Sequence, residues 1–452
     1  MTRHPAPAKE PYSRRKDRLF FGAFLTAIGV LLFLSGSLMT AAGIAPGPQI
    51  SRAYTGGMAY YAKSVAHDDI FASDLWSGTQ SEARGVIKHD AQHTAEGATL
   101  YTSSHESAAY LISATGEELH RWQRHFSEVW DETAAVKHPQ PDDFVYMRRA
   151  KLDGNGDLLA LFEGAGDTPY GYGLVKLDKD SNVIWRYLEH THHDFDIAPD
   201  GNIYVLTHEI IDEPEPRLDH LATPRIEDFL AILSPDGKEL HKIPLLSAVD
   251  YSDYRRLFYT VSSWSLGDPL HTNSVHVITE QEAAHFPHGE AGQVLISFRE
   301  LNAVGVLDAD KERLVWATKG PWLGQHDPHI LDNGNLLLFD NNGDFTPEQG
   351  DSRVLEFDPD TLELQWQYTG SADEPLHSVI RSEVQRLPNG NTLITESSQG
   401  RILEVAPDHS IVWEFVNPVR GGPDGRLIPI VCNAQRVDPY TVSLLTGTPT
   451  PS

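Results

Sequence analysis

HILDNGNLLLFDN at residues 329–341 and QRLPNGNTLITES at 385–397 are two copies of one pattern: a short strand, an Asn-Gly-Asn turn and a strongly β run. KLDGNGDLLALF at 151–162 and DIAPDGNIYVLTHE at 196–209 repeat it. Asn-Gly and Asp-Gly supply the positive φ angles of tight hairpin turns, so each copy reads as a β-hairpin. A second hairpin half follows each copy and ends near a tryptophan: GLVKLDKDSNVIWRY at 173–187, GVLDADKERLVWAT at 305–318, RVLEFDPDTLELQWQY at 353–368 and RILEVAPDHSIVWEF at 401–415. AYLISATGEELHRW at 109–122 and AILSPDGKELHKI at 231–243 are weaker copies, the latter without Trp. Trp122, Trp185, Trp316, Trp366 and Trp413 therefore recur at one place, where they would plug the gap between neighbouring sheets.

Two hairpins make a four-stranded unit. Six units follow, near 85–125, 148–190, 192–245, 271–319, 325–370 and 382–416. Their spacing predicts an all-β fold, a six-bladed β-propeller of four-stranded blades; a linear solenoid of sheets fits the Gly/Trp period less well. The tail at 428–446 is expected to supply a strand that closes the ring with the first blade, and the longest insertions fall near 208–230 and 244–270.

The N-terminus has another composition. Residues 1–18 carry six basic and two acidic side chains, a net +4, and no charge occurs from Leu19 to Ser51. An apolar run of that length can cross a ~30 Å hydrocarbon layer. It exceeds the ~7–15 residues of a secretory signal, which favours an uncleaved anchor, although MTAAG could pass as a cleavage site. The expected organisation is a basic cytoplasmic tail (1–18), a single transmembrane helix (19–45), a juxtamembrane linker or helix (46–84), the propeller (85–446) and a C-terminal tail (447–452). The positive-inside rule puts the N-terminus in the cytoplasm and the propeller in the periplasm or outside the cell, on a single-pass protein of the inner membrane.

The formal net charge of −28 thus divides into a +4 tail and a −32 body. Such acidity excludes nucleic acid as a partner of the body. Cys432 is the one cysteine, so neither an intrachain disulfide nor a cysteine-only zinc site exists.

Innermost propeller strands line a channel, so residues that start each repeat converge. His192 and His193 (HHDFDIAPDGN), His271 (HTNSVHVI), and His326 and His329 (QHDPHILDNGN) hold such positions. His377 and Arg381 precede the last repeat, and Arg353 opens the outer half of the fifth. Arginine forks and imidazoles gathered in one funnel suit an oxyanion such as sulfate, with carboxylates expected to face solvent. A metal site drawn from His192 or His193, His271, His326 and Asp194 or Asp327 is an alternative use of the same residues. No metal spacing such as HExxH and no cofactor fingerprint is present, so neither a metal nor a cofactor is expected.

HHDFDIAPDGNIYVL, HTNSVHVI, GQHDPHILDNGNLLLFDN, SRVLEFDPDTLELQWQY and VQRLPNGNTLITESSQGRILEVAPDHSIVWEF resemble the bacterial arylsulfotransferase family over roughly residues 85–440. The resemblance implies a six-bladed propeller that moves a sulfuryl group from a phenolic sulfate ester to another phenol without a nucleotide donor, through a covalent sulfohistidine. It implies helper roles for His271 and His326, with His193 matching the HHD pattern, so these three are the catalytic candidates; the sulfate-holding candidates are Arg353 and Arg401, with His192, His329 and Arg381 from their positions at the repeats. Two positions depart from the family. Its arginine after the FDNG string is replaced by Asp344 and Phe345, with Arg353 nearest, and its last-blade nucleophile aligns with Gly400–Arg401, where there is no histidine. The expected ligand is a small aryl sulfate or phenol. The alternative function is a non-catalytic envelope propeller that binds a ligand or a partner protein, with the two insertions as its surface. An exported propeller carrying a redox cofactor such as a quinone is a third reading.

Overall fold

A computed structural model describes residues 12–42, 44–47, 50, 69–79, 81–167, 169–343, 351–371 and 373–447. The chain divides into two units, Met1–Asp68 and Asp69–Ser452. In the first, Tyr12–Ala41 is one α-helix whose Lys16–Thr40 portion has a mean hydropathy of 2.2 and no buried residues, long and apolar enough to span a membrane. Of the juxtamembrane linker or helix expected at 46–84, residues 48–49, 51–68 and 80 lie outside the described residues, as do the C-terminal residues 448–452 and Asp344 and Phe345.

The second unit is a six-bladed β-propeller. The inner strands are Val431–Val437 in blade I, Val145–Leu152 in II, Thr191–Ile197 in III, Thr272–Val277 in IV, His326–Ile330 in V and Glu383–Arg386 in VI. Each inner strand touches those of the two adjacent blades, which makes the ring. The chain closes twice. Val431–Val437 pairs with Ala98–Ser103 as the inner strand of blade I, as the tail was expected to do. Gly85–His89 joins Ile411–Val416 as a fifth, outermost strand of blade VI, so it does not belong to the first blade as its place in the sequence suggested. Residues Pro439–Thr446, read as strand, are an α-helix: Pro439 opens it and the Asp438 carboxylate caps the Thr441 N–H. Part of the supposed linker belongs to the propeller unit, since Trp76–Gly78 pairs with Leu427–Pro429 and Leu75 packs on Tyr146, Ile430 and Cys432.

The recurring tryptophans join blades. Trp185, Trp366 and Trp413 each donate an indole N–H to a turn carbonyl of the next blade, at Pro235 (3.1 Å), Pro407 (3.2 Å) and Ala114 (2.8 Å). At Trp122 the neighbouring His120 makes that bond instead, to Lys179 O at 2.8 Å.

The axis is not lined by cations alone. Arg149 of blade II reaches Asp194 of blade III (2.6 Å), Asp327 of blade V (3.4 Å) and Glu383 of blade VI (2.6 Å), all buried. The expectation that carboxylates face solvent therefore fails here, because a channel narrow enough for one guanidinium to span needs anions to balance it. Towards the turn end of the same strands, His276 bonds Asp196 (3.3 Å) and Glu282 (2.7 Å), and Lys151 also holds Asp196 (2.8 Å).

Arg149→Met would strand three buried carboxylates and is expected to destabilise the propeller by about 3–5 kcal/mol, read from urea unfolding. At His276 burial opposes the charged ring, but Asp196 and Glu282 outweigh it and lift its pKa to about 10 from the ordinary 6.5. A raised folded-state pKa contributes stability in full below pH 6.5, and that contribution is lost as pH rises towards 10. The melting temperature should fall across that interval, and His276→Gln should flatten the fall in a thermal-unfolding series.

Candidate functional site

Where the inner strands begin, the backbone bulges. The ladder register shifts between Met147 and Arg149, Thr191 and Phe195, Thr272 and Ser274, and His326 and His329. His193 (φ 55°), His271 (φ 44°), Asp327 (φ 54°) and Arg381 (φ 57°) adopt left-handed backbone there. Large residues rarely hold this conformation, and bulges of this kind re-aim side chains. The side chains border a cavity of about 300 Å3 lined by Tyr146, Glu163, Tyr170, His193, His271, Arg299, His326 and Arg381, together with Asp74, Leu75 and Asp167.

Hydrogen bonds fix the chemistry of two histidines. The Asn341 amide lies 2.7 Å from Ser378 O and 2.8 Å from Arg381 O, two acceptors, so its NH2 faces them and its oxygen faces His326. His326 Nδ1 stands 2.7 Å from that oxygen and 3.0 Å from Gly324 O. Both partners accept, so Nδ1 carries the proton and Nε2 keeps a lone pair. Burial, reinforced by the Arg299 charge, lowers its pKa to about 3, and the ring is neutral. His271 is the opposite case. Burial works against its charge, but Asp268 at 2.5 Å from Nδ1 prevails and raises its pKa. Two imidazoles in one cavity are thereby held as acceptor and as acid.

His193 packs edge-on to His271 at 5.0 Å, and burial together with the His271 and His192 rings holds it well below the usual imidazole range. Its backbone N–H donates to Glu163 (3.0 Å), which also accepts from the Tyr146 hydroxyl (2.7 Å). Arg381 donates to Tyr146 at 2.8 Å and lies over its ring. Arg299 and Arg381 are the cavity's guanidinium groups, and with His271, whose charged form Asp268 favours, they suit an anion.

The repeat-start rule thus brings His193, His271, His326 and Arg381 to one cavity. Other expected residues lie elsewhere. Arg353 and Arg401 open the third strands of blades V and VI, two strands from the axis. They are spent on carboxylates: Arg353 on Asp340 (2.7 Å), Arg401 on Glu396 (2.6 Å), Glu374 (3.0 Å) and Glu414 (3.3 Å). His329 is past the blade V bulge, bonded to Asp327 (3.1 Å) and beside His276. His192 is buried behind His193, Nδ1 to Nδ1 at 2.8 Å, and burial lowers its pKa to about 3. His377 pairs with Asp351 at 3.4 Å, also away from the cavity lining. The metal set built on Asp194 or Asp327 does not assemble, since Arg149 engages both. Tyr146, Glu163, Tyr170, Arg299, Asp268 and Asn341 were not singled out in the sequence. Glu163, Arg299 and Asn341 sit at or just after the ends of second strands, which antiparallel pairing places beside the starts of the first.

Residues 148–418 match the arylsulfotransferase (ASST) family. No curated protein sequence matches the chain. Among solved structures, a protein of unknown function from Bacteroides caccae is similar at 13% identity and a TM-score of 0.46, over 74% of this chain and 99% of that one. A streptogramin B lyase is similar at 11% identity and a TM-score of 0.40, over 79% and 94%. Virginiamycin B lyase from Staphylococcus aureus is similar at 9% identity and a TM-score of 0.34, over 61% and 71%.

In 15N-histidine spectra, His326 should show a protonated Nδ1 and a bare Nε2, unchanged from pH 7 down to pH 5. Asn341→Leu removes one acceptor and should mix the tautomers. A protonated Nε2 in the unaltered protein would contradict the assignment.

Proposed function

We propose, because the chain belongs to the arylsulfotransferase family and its cavity holds His326 with an exposed lone pair on Nε2, that the protein transfers the sulfuryl group of an aryl sulfate ester to a phenolic acceptor. His326 Nε2 attacks sulfur while the S–O(aryl) bond breaks, leaving an N-sulfonated imidazolium whose Nδ1–H is held by Asn341 and Gly324. The departing phenolate takes a proton from His271, whose imidazolium Asp268 supports. Arg299 and Arg381 hold the sulfuryl oxygens as charge moves onto them. The acceptor phenol then gives its proton to His271 and attacks sulfur, and the S–N bond breaks. In this reading His326 takes the nucleophile's part that the family resemblance places at Gly400–Arg401, and Arg353, Arg401, His192 and His329 take no part.

The apolar helix behind a basic tail supports a single-pass inner-membrane protein with a cytoplasmic N-terminus and an exported propeller. A binding-only reading is favoured by one observation: the acidic Asp74, Glu163 and Asp167 share the cavity with its cations.

With 4-nitrophenyl sulfate and a phenol, the full-length protein should release nitrophenolate, form the acceptor sulfate and carry one SO3 on His326 by peptide mass spectrometry. His326→Ala should abolish the adduct, and His271→Gln should slow transfer by about 10²–10⁴-fold. Aryl sulfate binding with no transfer and no SO3 on any histidine would leave the binding-only reading standing and end the catalytic one.

A further inference from the structure

Behind His193, three neighbouring strands of blade III turn buried side chains towards one point. His192 comes from Thr191–Ile197, His208 from Ile203–Ile211 and Asp228 from Arg225–Leu233. His208 and Asp228 are direct cross-strand partners, and the His192 ring stacks on His208 at 4.4 Å. The spacing is therefore set by the sheet. The coordinating atoms of the three lie within 4.8 Å of one another.

Their hydrogen bonding is incomplete. His208 is buried, yet neither of its ring nitrogens has a partner, and His192 Nε2 has none either, standing 3.5 Å from Asp228 Oδ1. A buried imidazole with both nitrogens idle is unfavourable, and such groups call for an unseen partner. The remaining atoms are engaged as the outer shell of a metal site would be. His192 Nδ1 bonds His193, and Asp228 Oδ2 accepts the Thr272 N–H at 2.7 Å.

We propose that His192 Nε2, a ring nitrogen of His208 and the Asp228 carboxylate bind a divalent transition-metal ion, with water completing its shell. Two imidazoles and one carboxylate suit Zn2+, Fe2+, Mn2+ or Co2+ rather than Ca2+ or Mg2+, which prefer all-oxygen ligands. The ion has a consequence for the cavity. Metal on His192 Nε2 puts that ring's proton on Nδ1, where it donates to His193 Nδ1. His193 must then be protonated at Nε2 and act as an N–H donor. The ion thus sets the hydrogen-bonding role of a cavity residue, and the site stands whether or not sulfuryl transfer occurs there.

The test is metal analysis of the untagged full-length protein in detergent, after stripping with chelator and reloading with Zn2+ or Co2+. One ion should be retained per chain, with a rise in melting temperature on reloading. His208→Gln and Asp228→Asn should each lose the ion, and His138→Gln, at an exposed position, should keep it. X-ray absorption of the unaltered zinc form should show two imidazoles in the first shell, a readout that holds even if the variants misfold. Retention of no ion, retention undiminished in both variants, or a first shell without imidazole would each overturn the proposal.

Discussion

One guanidinium on the propeller axis organises the ring. Arg149 spans from blade II to carboxylates on blades III, V and VI. Each carboxylate spends its other oxygen, or the same group's second bond, on a further blade. Asp194 accepts the Val275 N–H of blade IV (2.9 Å), Asp327 the Val384 N–H of blade VI (2.9 Å), and Glu383 the Asn433 amide of blade I (2.5 Å). All six blades thus meet in one buried network. A charge removed from water is tolerated only when so fully partnered, and any slip of an inner strand would break a bond in it. The network fixes strand register, and register decides which residues reach the bulges above.

Above that floor, opposite protonation states are produced by neighbours rather than by the histidines themselves. Asp268 favours the charged form of His271, whereas Asn341 and burial keep His326 neutral with its proton on one known nitrogen. An acidic body is compatible with an anionic ligand because buried partners, not net charge, set the local field. Blade III gives the cavity His193 and keeps His192 and His208 buried behind it, because its inner strand carries two histidines in succession and its second strand a third.

The repeat made the six blades, the closing tail and the tryptophans between blades legible, since turn chemistry and strand period are local properties. The double closure was less so: Gly85–His89 looks like any strand before a repeat, and its partner lies more than three hundred residues away. At the site, the rule that repeat starts converge found His193, His271, His326 and Arg381. It overlooked the ends of second strands, although antiparallel pairing puts them at the same rim: Val145 faces Gly164, Thr272 faces Phe298 and Glu383 faces Thr395. Glu163 and Arg299 were readable by that extension. Arg353 and Arg401 misled because an arginine that opens a strand looks the same in sequence whether that strand is first or third from the axis.

The last blade shows how a blade can act on a site to which it brings no imidazole. Beside the Gly400–Arg401 position, blade VI carries a cluster of serines: Ser378 Oγ meets Ser398 Oγ at 3.1 Å and Ser382 Oγ at 2.8 Å, and Ser397 Oγ takes the Ser382 N–H at 3.0 Å. These bonds hold the 378–382 segment in place, including the left-handed turn at Arg381 and Ser382. Two carbonyls of that segment, from Ser378 and Arg381, orient the Asn341 amide, and Asn341 in turn sets the His326 proton. The same turn delivers the Arg381 guanidinium to the cavity. Blade VI therefore brings no imidazole to the cavity, yet the lone pair on His326 depends on its backbone.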